Sequence, residues 1–220
     1  MSAFVYLLAK ELRLELRGKE AAPTLALFAL VTLLLAKLGV GLSSDASREI
    51  APAILWIALL FAAVLGAQRA ADKDREILRG VLLTPAPRMS IFFAKAAAQM
   101  TFLMAAALVQ LPVLSAFFDA PIGRRPDLLS TALLLALLGI AVVATLAATA
   151  LASMRLRGIL LPLTLMPLAT PILICAVKAT SAALYGEGWA EAGPWLRILA
   201  ATDAILLGVS ALLFEYSVEE

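Results

Sequence analysis

The stretch from Leu128 to Ser153, "LLSTALLLALLGIAVVATLAATALAS", decides the fold because it continues for 26 residues without a charged side chain. An α-helix needs about 20 mainly apolar residues to cross the hydrocarbon core of a bilayer. A membrane-spanning β-strand is roughly half as long and alternates apolar with polar side chains. This stretch shows no such alternation, so it predicts a membrane-spanning helix.

Five further apolar runs accompany this one, and together they define the fold class. The chain of 220 residues is 63% hydrophobic, against roughly 45–50% in soluble domains, and its mean hydropathy is +0.97. The predicted spans are about 21–42, 50–68, 89–118, 128–153, 159–180 and 197–214. Most connectors are short, so we predict an all-α membrane protein with six transmembrane helices in a single domain covering residues 1–220.

Lys and Arg are concentrated on one set of alternate connectors. Eleven lie in the N-terminal segment, the 69–88 connector and the 154–158 turn, whereas the opposite set of connectors has five. Because Lys and Arg favour the cytoplasmic side of a membrane, we expect the N- and C-termini to be cytoplasmic.

Residues 2–20, "SAFVYLLAKELRLELRGKE", have the period of an amphipathic helix. Leucines share one face, and Arg13 and Arg17 contribute to a basic strip opposite, so this segment is predicted to lie in the headgroup region as an interfacial helix. Glu11 and Glu15 interrupt the apolar face one turn apart. They either face lipid headgroups and pair locally, or form a salt bridge to another cytoplasmic segment.

The 69–88 connector contains the signature of a second short helix. Asp72 or Asp74 is able to cap it, and prolines from Pro85 onward end it. Its apolar stripe recurs at helical spacing: Ile77, Leu78, Val81 and Leu82. Such a knob suits either docking into a groove on a partner protein or lying flat on the membrane.

Small residues at four-residue spacing predict where helices pack closely, because close contact stabilises helix pairs in lipid. One row is in the second span and one in the fourth: Ala58, Ala62 and Gly66, and Ala144, Ala148 and Ala152. Each row packs either on another span or on a second copy of the chain.

The fifth span contains Pro162, Pro167 and Pro171 within ten residues. Each proline lacks a backbone donor and frees a carbonyl about one turn earlier, which we expect Thr164 and Thr170 to satisfy. The pattern predicts a bent helix, either as a hinge or as a static kink.

One acidic residue, Asp203, falls inside a predicted span. We expect it one or two turns into the last span, near the outer surface, where it either pairs with Arg197 or faces the bundle interior. Lys37 and Lys95 lie close enough to predicted span ends to extend to the interface.

Several sequence features of enzymes are missing. The chain has no histidine and no G-x-x-x-x-G-K-[ST] phosphate loop, so it is not expected to hydrolyse ATP by that route. The sequence predicts no catalytic residue, no metal site and no cofactor bound directly by this chain. Its single cysteine cannot form an intrachain disulfide.

Two stretches resemble a known family. Residues 48–87, "REIAPAILWIALLFAAVLGAQRAADKDREILRGVLLTPAP", and residues 155–174, "RLRGILLPLTLMPLATPILI", resemble the haem exporter protein B family of cytochrome c maturation, CcmB, an ABC-2-type permease subunit. The likeness extends along nearly the whole chain, through the N-terminal element and the number of spans.

This resemblance implies a homodimer in the bacterial inner membrane joined to two copies of a cytoplasmic ABC ATPase (CcmA-like). It further implies work with a haem-handling membrane protein (CcmC-like) and a periplasmic haem chaperone (CcmE-like). ATP binds the partner subunit, haem is handled by the complex, and hydrolysis serves to release the haem-loaded chaperone. The 69–88 connector would be the coupling element. Its expected contact residues are Asp72, Asp74, Glu76, Ile77, Leu78, Val81, Leu82 and Pro85.

Two alternatives remain open at this point. An ABC-2 exporter subunit for a lipid or glycan would have a lined cavity at its dimer interface and no need for a haem chaperone. An ion-coupled secondary transporter would use Asp203 with Lys95 or Lys37 as coupling groups, although no inverted repeat is visible in the sequence.

Overall fold

The computed structural model describes residues 21–40, 44–81, 88–152, 154–186 and 188–216, and within these ranges all regular structure is α-helical. The helices are α1 (Ala21–Val40), α2 (Ser44–Val81), α3 (Arg88–Phe118), α4 (Pro126–Leu151), α5 (Arg157–Leu184) and α6 (Trp189–Tyr216). The predicted all-α class is therefore confirmed for the described residues.

In this part of the chain, five helices are long and apolar enough to cross a membrane. Their apolar segments are Arg48–Asp72, Met89–Phe118, Pro126–Leu151, Arg157–Leu184 and Trp189–Ser210. The described apolar stretch of α1 is shorter, Leu30–Gly39, so the sixth crossing stays a prediction. The predicted interfacial helix, with Glu11, Arg13, Glu15 and Arg17, lies outside the described residues.

Helix α4 is at the centre of the bundle. It packs against α2, α3, α5 and α6, while α1 lies on α2 and α3. The alanine-rich sequence of α4, uncharged after Asp127 in its first turn, allows this position, because no face of the helix carries a long polar side chain that needs water. Residues Leu137, Ile140 and Ala141 are accordingly fully buried.

The outer surface of the bundle is apolar. Each of the five long helices exposes at least one large aliphatic side chain, among them Ile57, Leu108, Leu134, Leu163 and Ile205. Hydrocarbon is the solvent that suits such a surface, since water would oppose the exposure of so many apolar side chains. The described helices therefore form a multi-pass membrane bundle.

Helix α2 differs from the prediction at its C-terminal end. Instead of a separate short helix capped by Asp72 or Asp74, one helix continues from Ser44 to Val81. The expectation of a new helix start was wrong because residues 69–79 are mostly good helix formers without glycine or proline. Its 38 residues correspond to about 57 Å, nearly twice the ~30 Å hydrocarbon thickness.

The predicted rows of small residues lie in the interior. Ala58, Ala62 and Gly66 are buried, as are Ala144, Ala148 and Ala152. Ala144 and Ala148 pack in one cluster with apolar residues of α2 and α5, including Val64, Ala67 and Leu165. This part of the fourth-span row therefore contacts helices of the same chain.

Candidate coupling site

A salt bridge joins the extended part of α2 to the start of α5. The Nε and Nη2 atoms of Arg157 both donate hydrogen bonds to Oδ1 of Asp72, with an Nε to Oδ1 distance of 3.0 Å. The side chain of Asp72 is 61% exposed and that of Arg157 is 21% exposed. Because exposed ion pairs contribute at most about 1 kcal/mol, this contact orients the two helices more than it stabilises the fold.

A second contact lies one turn closer to the core. Nε2 of Gln68 donates to the backbone carbonyl of Gly158 at 3.3 Å. That carbonyl would normally accept the N–H of residue 162, but Pro162 has none. The glutamine of α2 therefore satisfies a carbonyl that the first proline of α5 leaves free.

These two contacts border a notch of about 280 Å³ between α2 and α5. Its lining is mostly polar or charged, with one glycine and one leucine: Gln68, Asp72, Arg155, Arg157, Gly158 and Leu161. Small-molecule sites are generally larger and mostly apolar. The notch therefore does not have the character of a typical small-molecule site.

The other predicted coupling residues are only partly described. Asp74, Glu76, Ile77, Leu78 and Val81 lie on the last turns of α2, but their side chains are outside the described part of the structure. Leu82 and Pro85 lie outside the described residues altogether.

The sequence interpretation did not identify Arg157, Gln68 and Gly158 as contacts of the coupling segment. Two signals for them were present in the sequence. One was the basic turn before the fifth span, and the other was the carbonyl that Pro162 must free. Neither signal indicates which helix supplies the partner.

The threonines of α5 do not have the expected role. Oγ1 of Thr164 donates to the Leu160 carbonyl at 2.8 Å, and Oγ1 of Thr170 donates to the Met166 carbonyl at 2.9 Å. Both are carbonyls four residues earlier, which are not those freed by the three prolines. The expectation was therefore wrong. Helix α5 continues from Arg157 through the prolines to Leu184, and its bend stays a prediction.

A buried hydrogen bond attaches α2 to α5 within the core. Nε1 of Trp56 donates to Oγ1 of Thr180 at 2.9 Å, and both side chains are almost completely buried. If the indole N–H had no acceptor here, the free energy of unfolding would be lower by about 1–3 kcal/mol. Helix α2 is thus held on α5 at two levels, one at Trp56 and one at Gln68 and Asp72.

Helix α3 supports the other side of α2. Nε2 of Gln99 donates to the Ala63 carbonyl at 3.2 Å, and Gly66 provides the space for the Gln99 side chain. A Cβ atom on Gly66 would lie 2.7 Å from Nε2 of Gln99 and 2.9 Å from Cε1 of Phe102. Only glycine permits so close an approach.

The position of Asp203 corrects another expectation. Helix α6 begins at Trp189, so Asp203 is about four turns from its start instead of one or two. Its side chain is 3% exposed and lies against Gly139 of α4, where Ile172 of α5 also approaches. Arg197 is exposed and, six residues earlier, lies on a different face of α6.

Neither carboxyl oxygen of Asp203 has a hydrogen-bond partner in the structure as described. A charged carboxylate at the centre of a membrane helix costs at least about 2.5–3.5 kcal/mol. The residue therefore requires an explanation beyond packing.

The opposite end of the bundle is closed by contacts between loop and helix residues. Nε1 of Trp189 donates to Oδ2 of Asp127 at 2.8 Å. Gly188 has a φ of +87°, and a Cβ atom there would lie 2.7 Å from the guanidinium carbon of Arg125. Burial raises the pKa of the Tyr185 hydroxyl. The contacts of Trp189 and Gly188 hold the start of α6 against the start of α4.

A bundle of long apolar helices, one of which extends far beyond bilayer thickness, defines a polytopic α-helical membrane protein. The sequence model of the CcmB protein family matches residues 2–220. A similar protein is "Heme exporter protein B" of Pseudomonas aeruginosa, 32% identical over 206 residues, which cover 91% of this chain and 90% of that protein. The chain belongs to the CcmB family, and the resemblance seen in the sequence is confirmed.

Proposed function

We propose that this chain is the membrane subunit of a haem-export ABC system that serves cytochrome c maturation. Family membership supports this proposal, as does the name of the Pseudomonas aeruginosa relative. The sequence has no phosphate loop of the P-loop type, so ATP hydrolysis belongs to a separate, CcmA-like subunit. This chain then acts mechanically, as a non-catalytic part of the complex.

The observation that carries the mechanism is the continuity of α2. One helix connects the buried Trp56 to the predicted coupling residues up to Val81. A helix transmits a push along its length because its backbone hydrogen bonds resist bending. ATPase movement against residues 72–81 would therefore displace α2 directly, because these residues belong to the helix itself.

The contacts of α2 with α5 extend this movement to a second helix. The Asp72 to Arg157 bridge and the Gln68 to Gly158 hydrogen bond link the two near the coupling segment. In this mechanism Asp72 acts between helices of the same chain, while Leu78 and Leu82 supply the apolar surface for the ATPase.

The remaining assignments are part of the same proposal, and family membership supports them. In this proposal the chain lies in the bacterial inner membrane with its termini in the cytoplasm, as a homodimer with two ATPase subunits. Its other partners are a CcmC-like haem-handling protein and a CcmE-like chaperone, and ATP hydrolysis drives release of the haem-loaded chaperone.

Two sets of variants test the coupling role. Leu78→Asp together with Leu82→Asp should abolish co-purification of the ATPase while membrane insertion is retained. Undiminished co-purification would remove the coupling role from this segment. Labelling that places residues 69–88 in the periplasm would contradict the orientation.

The second set concerns the Asp72 contact. Asp72→Arg and Arg157→Asp should each lower the yield of c-type cytochromes, by up to about five-fold if the pair contributes about 1 kcal/mol, whereas the double exchange should restore it. The matched control is Glu49→Arg, an exposed acid-to-arginine change at the other end of α2. Equal yields from Asp72→Arg and Glu49→Arg would show that the bridge has no functional role.

A further inference from the structure

The carboxyl group of Asp203 occupies a pocket that depends on a glycine. A Cβ atom on Gly139 would overlap Oδ1 of Asp203 and lie 3.2 Å from its Cγ and 2.9 Å from Cδ1 of Ile172. The absence of a side chain at residue 139 is therefore what leaves room for the carboxyl group between α4, α5 and α6.

This pocket lies near the middle of both α4 and α6. Asp203 is 14 residues after the start of α6 and 13 before its end. Gly139 is 13 residues from the start of α4 and 12 from its end. Each residue is therefore about 20 Å from both ends of its helix.

The groups around the pocket do not provide a counter-charge. The titratable group that faces Asp203 from α5 is the thiol of Cys175, which is neutral or negative. The only titratable residue of α4 is Asp127, in its first turn. Lys178 and Arg197 are exposed. Lys95 lies on α3, which has only limited contact with α6. It is seven residues from the start of α3, whereas Asp203 is near the middle of α6.

A second unpartnered group lies on the same face of α6. Ser210 is fully buried, and its Oγ has no hydrogen-bond partner among the described residues. Seven residues separate it from Asp203, which is two helical turns. A hydroxyl both donates and accepts hydrogen bonds. Ser210 is therefore the next polar position along α6 for a proton that moves between Asp203 and water.

We propose that Asp203 is a proton-binding site in the membrane interior, filled while α4, α5 and α6 are packed as described. When α6 separates from Gly139, water enters and the carboxylic acid transfers its proton to it, leaving a carboxylate. Packing of the helices and binding of one proton are then linked, so each favours the other. This linkage does not depend on the proposed ATPase partner.

Infrared difference spectroscopy tests the protonation state. The full-length chain in lipid nanodiscs at pH 7 is compared with Asp203→Asn, since asparagine lacks both acid and carboxylate bands. The wild-type minus variant spectrum should contain the C=O stretch of a protonated carboxylic acid. The symmetric and antisymmetric bands of a carboxylate would overturn the proposal.

Deuterium exchange tests the link to packing. After transfer to D₂O the acid band shifts as the proton is replaced, and this exchange should be slow in the wild type. Gly139→Ala should accelerate it at least ten-fold. The same substitution at Gly208, where an added Cβ has nothing within 4 Å, should leave the rate unchanged. Equal rates in all three proteins would show that the contact between α4 and α6 does not control proton exchange.

Discussion

Substitution of Gly66 by alanine probes the contact that holds α2 on α3. The added Cβ atom would lie 2.7 Å and 2.8 Å from the amide atoms of Gln99 and 2.9 Å from Cε1 of Phe102. Gln99 is 8% exposed and cannot move into solvent. Its side chain must shift within the core, and its hydrogen bond to the Ala63 carbonyl is lost.

The expected magnitude follows from three contributions. Overpacking of a core costs about 1–3 kcal/mol, and the lost hydrogen bond adds about 1 kcal/mol. Alanine in place of glycine favours a helix by about 1 kcal/mol, which offsets the second contribution. The free energy of unfolding should therefore fall by about 1–3 kcal/mol.

The assay is reversible unfolding of the full-length chain in mixed micelles, monitored by tryptophan fluorescence. Gly208→Ala is the matched control, because nothing lies within 4 Å of its added Cβ. It should show only the helix contribution, a gain of up to about 1 kcal/mol. The two variants should thus differ by about 2–4 kcal/mol.

A third variant identifies the cause of the loss. Gln99→Ala removes the two nearest atoms, so it should cost less in the Gly66→Ala background than in the wild type. If Gly66→Ala proves as stable as Gly208→Ala, α2 and α3 are not packed as closely as the structure indicates.

Three further substitutions test individual hydrogen bonds by the same unfolding measurement. Trp56→Phe should lower the free energy of unfolding by about 1–3 kcal/mol because it leaves the buried Thr180 hydroxyl without its donor. The control is Trp195→Phe, at a half-buried tryptophan. If Trp56→Phe is as stable as this control, the 2.9 Å contact does not contribute. Gln68→Leu should cost about 1 kcal/mol in the wild type but almost nothing beside Pro162→Ala, whose new N–H can reach the Gly158 carbonyl; equal costs in both backgrounds would refute that explanation. Trp189→Phe removes an exposed hydrogen bond to Asp127 and should cost less than about 1 kcal/mol, so a larger loss would indicate an additional role.

The fold class followed from the sequence because long uncharged runs leave few alternatives in a membrane. The position where α2 ends did not follow from the sequence. The charged residues after Gln68 have a composition that fits a connector as well as an exposed helix. The depth of Asp203 was misjudged for a similar reason. Gly193 and Pro194 indicated a loop before the last span, whereas α6 already begins at Trp189.

Partners across the bundle were not predictable from one sequence. Periodicity shows which face of a helix is apolar, but not which helix covers it. Trp56 and Thr180 are 124 positions apart, and nothing in either local sequence specifies the other. Only one partner of the Gln68 contact was predictable. Pro162 implies that the Gly158 carbonyl needs another donor, but it does not indicate which residue supplies that donor.

The attachment of α2 at Trp56 divides this helix into two unequal arms. About 18 Å separates Trp56 from Ser44, and about 37 Å separates it from Val81. If the Gln68 and Asp72 contacts open and α2 then pivots at Trp56, a shift at the long end reappears at the short end in the opposite direction and at about half the amplitude. Distance is exchanged for force, so a large displacement at the Val81 end would become a smaller but stronger one at the Ser44 end.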